Sequence, residues 1–467
     1  MIQNSQISIC LTPKRRLEQA LKKVGIENSA TVTSLAITGR LIDCDMKYIR
    51  ENMRKTLQEL DLSKASFKKN ILPDFAFENC TALTTVIFPD TIVEIGYRSF
   101  SECIGLKSIF IPASVVKIDT MDIFYDFWAF AGCDALTRID VHPDNPVFAS
   151  EDGVLLNKEK TELIKCPNGR QDDYVIPDTV ICLGLIPFSC CKMLTCITVS
   201  KNNPEYSSID GVLFNKNKTE LICCPEGRQG DYVIPDTVVK IHSGIESCTN
   251  LTSIFIPAAT VEIGWVSELT LLCKPHEALR KEELVFFACS GLTSITIDPN
   301  NPLYSSEDGV LFNKDKTELI VYPKGRQGDY IIPASVVTIR DSAFRRCTGL
   351  TSVVIPSSVT EMGCETFKDC TALTTVDIPT SVTEIGACLF WGCTALTYIN
   401  IPASVVKIGC NVFRNCAALT SIFIPASVIE IVARFGFDRD FHGCPAVITV
   451  HPDNTYYTSK NGILSYK

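Results

Sequence analysis

Asp308, Glu318, Arg326 and Asp329 lie within one short stretch, YSSEDGVLFNKDKTELIVYPKGRQGDY, running from Tyr304 to Tyr330. Carboxylates beside an arginine are the residue types of a general acid–base pair with a charge-stabilising cation. The stretch is written twice more, as YSSIDGVLFNKNKTELICCPEGRQGDY from Tyr206 to Tyr232 and FASEDGVLLNKEKTELIKCPNGRQDDY from Phe148 to Tyr174. Catalysis usually needs a single preorganised pocket, so three tandem copies rich in turn-forming residues point to architecture. A second candidate is Cys273-Lys-Pro-His276, which offers the thiol and imidazole of a nucleophilic dyad, but nothing around it resembles a hydrolase signature. Cys190–Cys191 and Cys223–Cys224 lack partner pairs at zinc spacing. His142 and His451 both sit in VHPDN, at a turn after a strand. The chain has no Gly-rich phosphate loop, no G-x-S-x-G and no H-E-x-x-H. The reading is a protein that is not an enzyme, with no cofactor and no metal site expected.

The elements that must position these residues are set by repetition. From Leu350 four units follow in phase: LTSVVIPSSVTEMGCETFKDCTA, LTTVDIPTSVTEIGACLFWGCTA, LTYINIPASVVKIGCNVFRNCAA and LTSIFIPASVIEIVARFGF. Their leading residues Leu350, Leu373, Leu396 and Leu419 stand 23 apart. Earlier starts fall at Leu83, Leu106, Leu136, Leu194, Leu251 and Leu292, a last one at Val447, and weaker ones near Val32 and Leu57. That makes about thirteen units, and a period in the 20s is the signature of a solenoid whose units bury their apolar faces against their neighbours.

Within a unit, LTxIxIP alternates apolar and polar residues, which predicts a short strand with Leu and two Ile pointing inward. Proline then closes the strand, since it lacks the N–H a ladder needs. SVxxIG predicts a second extended stretch ending at a Gly turn, and xxFxxCxxL brings one Phe and one Cys inward. In the long copies YSS, GVLFN and ELI predict a β-hairpin flap turned by K-x-K-T, with Asp-Gly supplying a tight turn before the first arm.

The same phase accounts for the cysteines. Of 23, eleven occupy one slot: Cys80, Cys103, Cys133, Cys191, Cys248, Cys289, Cys347, Cys370, Cys393, Cys416 and Cys444. A free cysteine behaves as a small hydrophobe, so a column of them predicts packing, with mostly free thiols.

Bulk properties exclude several classes. With 46% hydrophobic and 21% charged residues, the 467-residue chain can bury a large core and is not disordered. A net charge of −9 argues against a nucleic acid as main partner. No apolar run reaches the ~18 residues of a membrane span. The opening MIQNSQISICLTPKRRLEQALKKVG is too short in apolar residues for a signal h-region. PKRRLEQALKK predicts an amphipathic helix with Leu17, Ala20 and Leu21 on one side, and Asp45 to Leu57 a second helix with Asp45 as N-cap. The expected organisation is an N-terminal helical cap with atypical first repeats at 1–79, then a solenoid at 80–467. Hairpin insertions are expected near 148–177, 206–235 and 304–333, and an enlarged repeat at 265–289.

The unit LxxIxIPxSVxxIGxxxFxxCxxL resembles the BspA-like branch of leucine-rich repeat proteins, matched almost position for position by Leu350 to Leu373, Leu373 to Leu396 and Leu396 to Leu419. The long element is similar to that family too. The resemblance implies a leucine-rich repeat solenoid, mostly β, acting as a bacterial cell-surface or secreted adhesin that binds a host or extracellular-matrix protein. With no export signal visible, a cytoplasmic location is the alternative, and with it an intracellular interaction scaffold or effector. In LTSIFIP the third and fifth residues face away from the core, and the fifth positions carry more apolar bulk than solubility needs. The candidate partner-binding residues are therefore Phe110, Phe255, Phe423, Val354 and Ile87, with Tyr398 from the third positions.

Overall fold

The structure is a computed structural model, and it describes residues 6–118, 129–184, 186–242, 244–245, 247–265, 285–286, 288–433, 436 and 441–467. It is a β-solenoid, built almost wholly of short strands stacked in parallel from coil to coil. Two compact units divide it: 6–217 with 223–227, and 218–222 with the described residues from 228 to 467.

The alternation in LTxIxIP becomes the first sheet of each coil. In the first unit the strands Ile7–Cys10, Ser34–Arg40, Glu59–Ser66 and Thr85–Ile87 pair in that order, all parallel. In the second unit Gly328–Ile331, Leu350–Val354, Thr375–Asp377 and Tyr398–Asn400 do the same. The SVxxIG stretches form two-residue strands in a second parallel sheet, as in Glu384–Ile385, Lys407–Ile408 and Glu430–Ile431. Between the sheets the phenylalanines of successive coils stack. Phe344, Phe367, Phe390, Phe413 and Phe441 follow one another with ring centroids 5.1, 5.7, 6.1 and 6.2 Å apart.

In the region expected to be a helical cap, α1 (Leu17–Lys23) and α2 (Asp43–Asn52) alternate with strands of the first sheet. Leu17, Ala20 and Leu21 are buried, as the amphipathic pattern requires. Asp45 lies inside the first turn of α2, not before it. Its carboxylate accepts from the N–H groups of Ile42 (3.2 Å) and Leu17 (2.9 Å) and pairs with Arg16, so one buried aspartate fixes the starts of both helices.

The long copies contain the expected hairpin and a third strand besides. Tyr304–Glu307 pairs antiparallel with Val310–Asn313, which pairs antiparallel with Glu318–Val321. Glu318–Val321 then lies parallel to Thr338–Ile339 and continues the second sheet. Val310, Leu311, Phe312 and Leu319 are fully buried, so the insertion is solenoid wall rather than a projecting flap. Asp308-Gly309 sits between the first two strands, not before them. Both residues have positive φ (47° and 71°), the backbone of a two-residue type I′ turn whose twist matches the strands. Gly309 also packs on Ser294, whose Oγ would lie 2.8 Å from an added Cβ. Most of the enlarged repeat at 265–289, with Cys273 and His276, lies outside the described residues.

Candidate binding face

The carboxylates of the repeated stretch diverge. Asp308 pairs with Arg326 (2.6 Å), whose guanidinium also lies over Tyr322 and Tyr330 at 5.3 and 5.7 Å from the ring centroids. Glu318 accepts from Arg340 at 2.9 and 2.7 Å through one oxygen. Asp329 accepts from the Thr351 hydroxyl at 2.6 Å. The first copy repeats the plan, with Arg170 paired to Asp152 and lying over Tyr174 at 5.0 Å. Each arginine is thus a tie from the GRQ loop to the hairpin turn and a lid on inward tyrosines. A recess of about 480 Å³ in the second unit, lined by Thr293, Ser294, Asp308, Gly309, Arg326 and Gln327, lies over an ion pair already neutralised.

The thiol column is buried in ten of its eleven positions, and Cys444 is half-buried. Several thiols donate to a carbonyl of the preceding coil: Cys370 to Phe344 (2.9 Å), Cys393 to Phe367 (3.1 Å) and Cys416 to Phe390 (3.1 Å). Burial pushes the thiols of Cys80, Cys347 and Cys416 up to about 12, which makes them poor nucleophiles. Among the described residues no three His, Cys, Asp or Glu side chains converge as metal ligands. His142 and His451 accept the N–H of Asp144 and Asp453 at Nδ1 (both 3.1 Å), so they close turns.

Beside them stands an asparagine that the sequence reading passed over. Asn145, Asn203, Asn301 and Asn454 are fully buried. Asn301 donates from Nδ2 to the carbonyls of Pro257 (3.0 Å) and Thr260 (2.7 Å), and its Oδ1 accepts from the N–H of Leu303 (3.0 Å) and Tyr304 (2.9 Å). The other three make the same four bonds. The signal was there: Asn recurs before P-x-F/Y or T-Y-Y in all four copies.

What the strands leave outward is a surface. In most of these strands the fourth and sixth residues are buried while the third and fifth face away, as in Ser352 and Val354 against Val353 and Ile355; Val141, Val199 and Val450 at the sixth position are half-buried. Residues 53–151 and 321–437 match the family model for the BspA type leucine-rich repeat region, in six copies. Those two stretches are BspA type leucine-rich repeat regions. Among curated proteins none matches it. Three solved structures similar to it are a leucine-rich cell surface protein from Faecalibacterium prausnitzii A2-165, a leucine-rich repeat protein from Eubacterium ventriosum ATCC 27560 and the pneumococcal vaccine antigen PcpA. The first is 22% identical, covers 96% of this chain and 90% of its own, and has a TM-score of 0.40. The second is 18% identical, covers 92% and 93%, and scores 0.36. The third is 16% identical, covers 88% and 85%, and scores 0.35.

The six candidate residues fall into separate groups. Ile87 and Phe110 occupy adjacent strands of the first unit, both exposed, and the Phe110 ring meets the His142 ring edge-on at 6.2 Å. Val354 and Tyr398 share the four-stranded sheet of the second unit, and Phe423 stands on the next strand with its ring edge-on to His451 at 6.0 Å. Phe255 is half-buried rather than exposed, because it lies in register between Val233 and Thr296 of the neighbouring strands. Sequence reasoning left the return strands of the long copies out of the outward rows. Val175, Val233 and Ile331 occupy the outward fifth position there, and all are exposed. Their D-Y-V/I-I-P pattern is the second half of LTxIxIP, which would have revealed them.

Proposed function

We propose that this protein is a non-enzymatic binding protein that holds a protein partner on the outward rows of its strands, and that it works as an adhesin or host-interaction protein at the cell surface or in secreted form. One observation carries the reading. Ile331 (70% exposed), Val354 (55%) and Tyr398 (55%) stand on one four-stranded sheet, apolar bulk that contributes nothing to the core beneath. The location rests on the family. The column of buried free thiols favours a second reading, an intracellular scaffold, which cell fractionation separates from the first.

The test is surface plasmon resonance of the protein against a panel of purified extracellular-matrix proteins, run beside the variant Phe110→Ser/Val354→Ser/Phe423→Ser. The reading predicts a matrix ligand whose affinity falls at least about tenfold in the variant at unchanged melting temperature. Unchanged affinity would contradict it. Unfolding of the variant would make these side chains members of a stabilising ladder instead.

A further inference from the structure

The sheet that carries Val354 and Tyr398 has a charge pattern of its own. Its strands pair in the registers Asp329↔Ser352↔Thr375↔Tyr398 and Ile331↔Val354, with Asp377 opposite Asn400. Since Val353 pairs with Val376, the next residues Val354 and Asp377 stand side by side. Asp329 lies two residues before Ile331 on the same strand, about 6.6 Å away, and Asp377 flanks Val354 about 4.8 Å across the ladder. The patch is therefore an exposed aliphatic pair with a carboxylate on either side.

Among the described residues no lysine or arginine pairs with Asp329 or Asp377. The eight outward positions of this sheet are Asp, Ile, Ser, Val, Thr, Asp, Tyr and Asn, with no lysine or arginine among them. Asp329 is held by the Thr351 hydroxyl (2.6 Å), which fixes its direction and leaves its charge intact. Hydroxyl donation from Thr351 and Ser352 also keeps this carboxylate below its usual range. The arrangement recurs on the strand Gln229–Val233, where Asp231 precedes the exposed Val233 by two residues and accepts from Thr252 (2.8 Å) and Ser253 (2.5 Å). Glu318 and Glu365 of the second unit are by contrast paired with arginines.

We propose that this patch selects an extended polypeptide segment that presents lysine or arginine beside an aliphatic side chain, the cations meeting Asp329 and Asp377 while the apolar group covers Ile331 and Val354. The inference rests on the strand face being a protein-binding surface and adds the partner's chemistry. Complementary charge gives selection and faster association, while the aliphatic contact supplies the desolvated centre.

The probe is a fluorescein-labelled synthetic peptide, TKTLTKT, which when extended puts Lys, Leu and Lys on one side, compared by anisotropy with TETLTET. The expected result is binding of TKTLTKT at least about tenfold tighter than TETLTET, weakening as salt rises to about 0.15 M, where screening acts beyond about 8 Å. Asp329→Asn and Asp377→Asn keep an oxygen acceptor and lose the charge. Each should weaken TKTLTKT about two- to fivefold, and together about tenfold, with melting unchanged. Equal affinity for both peptides overturns the inference. So does an unchanged affinity in the double variant while Ile331→Ser/Val354→Ser abolishes binding, an outcome that leaves a protein-binding face without charge selection. If neither peptide binds and the Phe110, Val354 and Phe423 variant still captures its matrix protein, the inference and the proposed function fail together.

Discussion

At the scale of single residues, the side chains that look reactive are occupied in holding coils together. Cys347 is fully buried in its column and its thiol is pushed up to about 12 from an ordinary value near 9. A thiol whose pKa is raised by folding contributes stability that is complete below about pH 9 and is lost as pH climbs from 9 toward 12. By pH 10 each such thiol costs about 1.4 kcal/mol relative to neutral pH. Cys80 and Cys416 share this shift. Chemical unfolding should therefore show a steep loss of stability between pH 9 and 10. Cys347→Ala should be about 1 kcal/mol less stable than the parent at pH 7 and no less stable at pH 10. A parallel pH dependence of the two proteins would mean that the column does not titrate with unfolding. The column itself was legible from spacing alone, because its slot recurs in phase. Its hydrogen bonds to the preceding coil were not, since sequence periodicity says which residues face inward and nothing about which carbonyl they meet.

At the scale of elements, the buried asparagine explains how a long copy begins. Asn301 joins the turn at Pro257–Thr260 to the start of the strand Tyr304–Glu307 through four side-chain bonds, three of them buried. Asn301→Ala removes them and strands two carbonyls and two N–H groups, an expected cost of about 2–4 kcal/mol in urea unfolding. A loss under about 0.5 kcal/mol would show that solvent reaches the site. The parallel pairing of each insertion's third strand escaped the sequence reading for a physical reason. Glu318–Val321 alternates like a hairpin arm, and only its parallel pairing with Thr338–Ile339 makes it wall. Asp308-Gly309 was legible as a tight turn, yet its place in the chain of strands depended on whether Tyr304–Glu307 counted as an arm.

At the scale of the whole molecule, stability and surface are divided between alternate residues of the same strands. The inward rows, the phenylalanine stack and the thiols form a core in each compact unit, while the outward rows are free to vary in chemistry. Sequence spacing placed Phe110, Val354, Tyr398 and Phe423 on the outward rows, but it could not register one coil against the next. The juxtaposition of Asp329, Ile331, Val354 and Asp377 therefore emerged only from the pairing.

The division is tested most directly at two neighbouring residues, Val353 (5% exposed) and Val354. Thermal and urea unfolding of Val353→Ser and Val354→Ser, with peptide binding measured on each folded variant, separates the two roles. The account predicts a loss of about 2–4 kcal/mol for Val353→Ser, from lost packing and a buried hydroxyl. It predicts a change within about 0.5 kcal/mol for Val354→Ser, together with weakened binding. Equal destabilisation by both, or full binding by Val354→Ser, would contradict it.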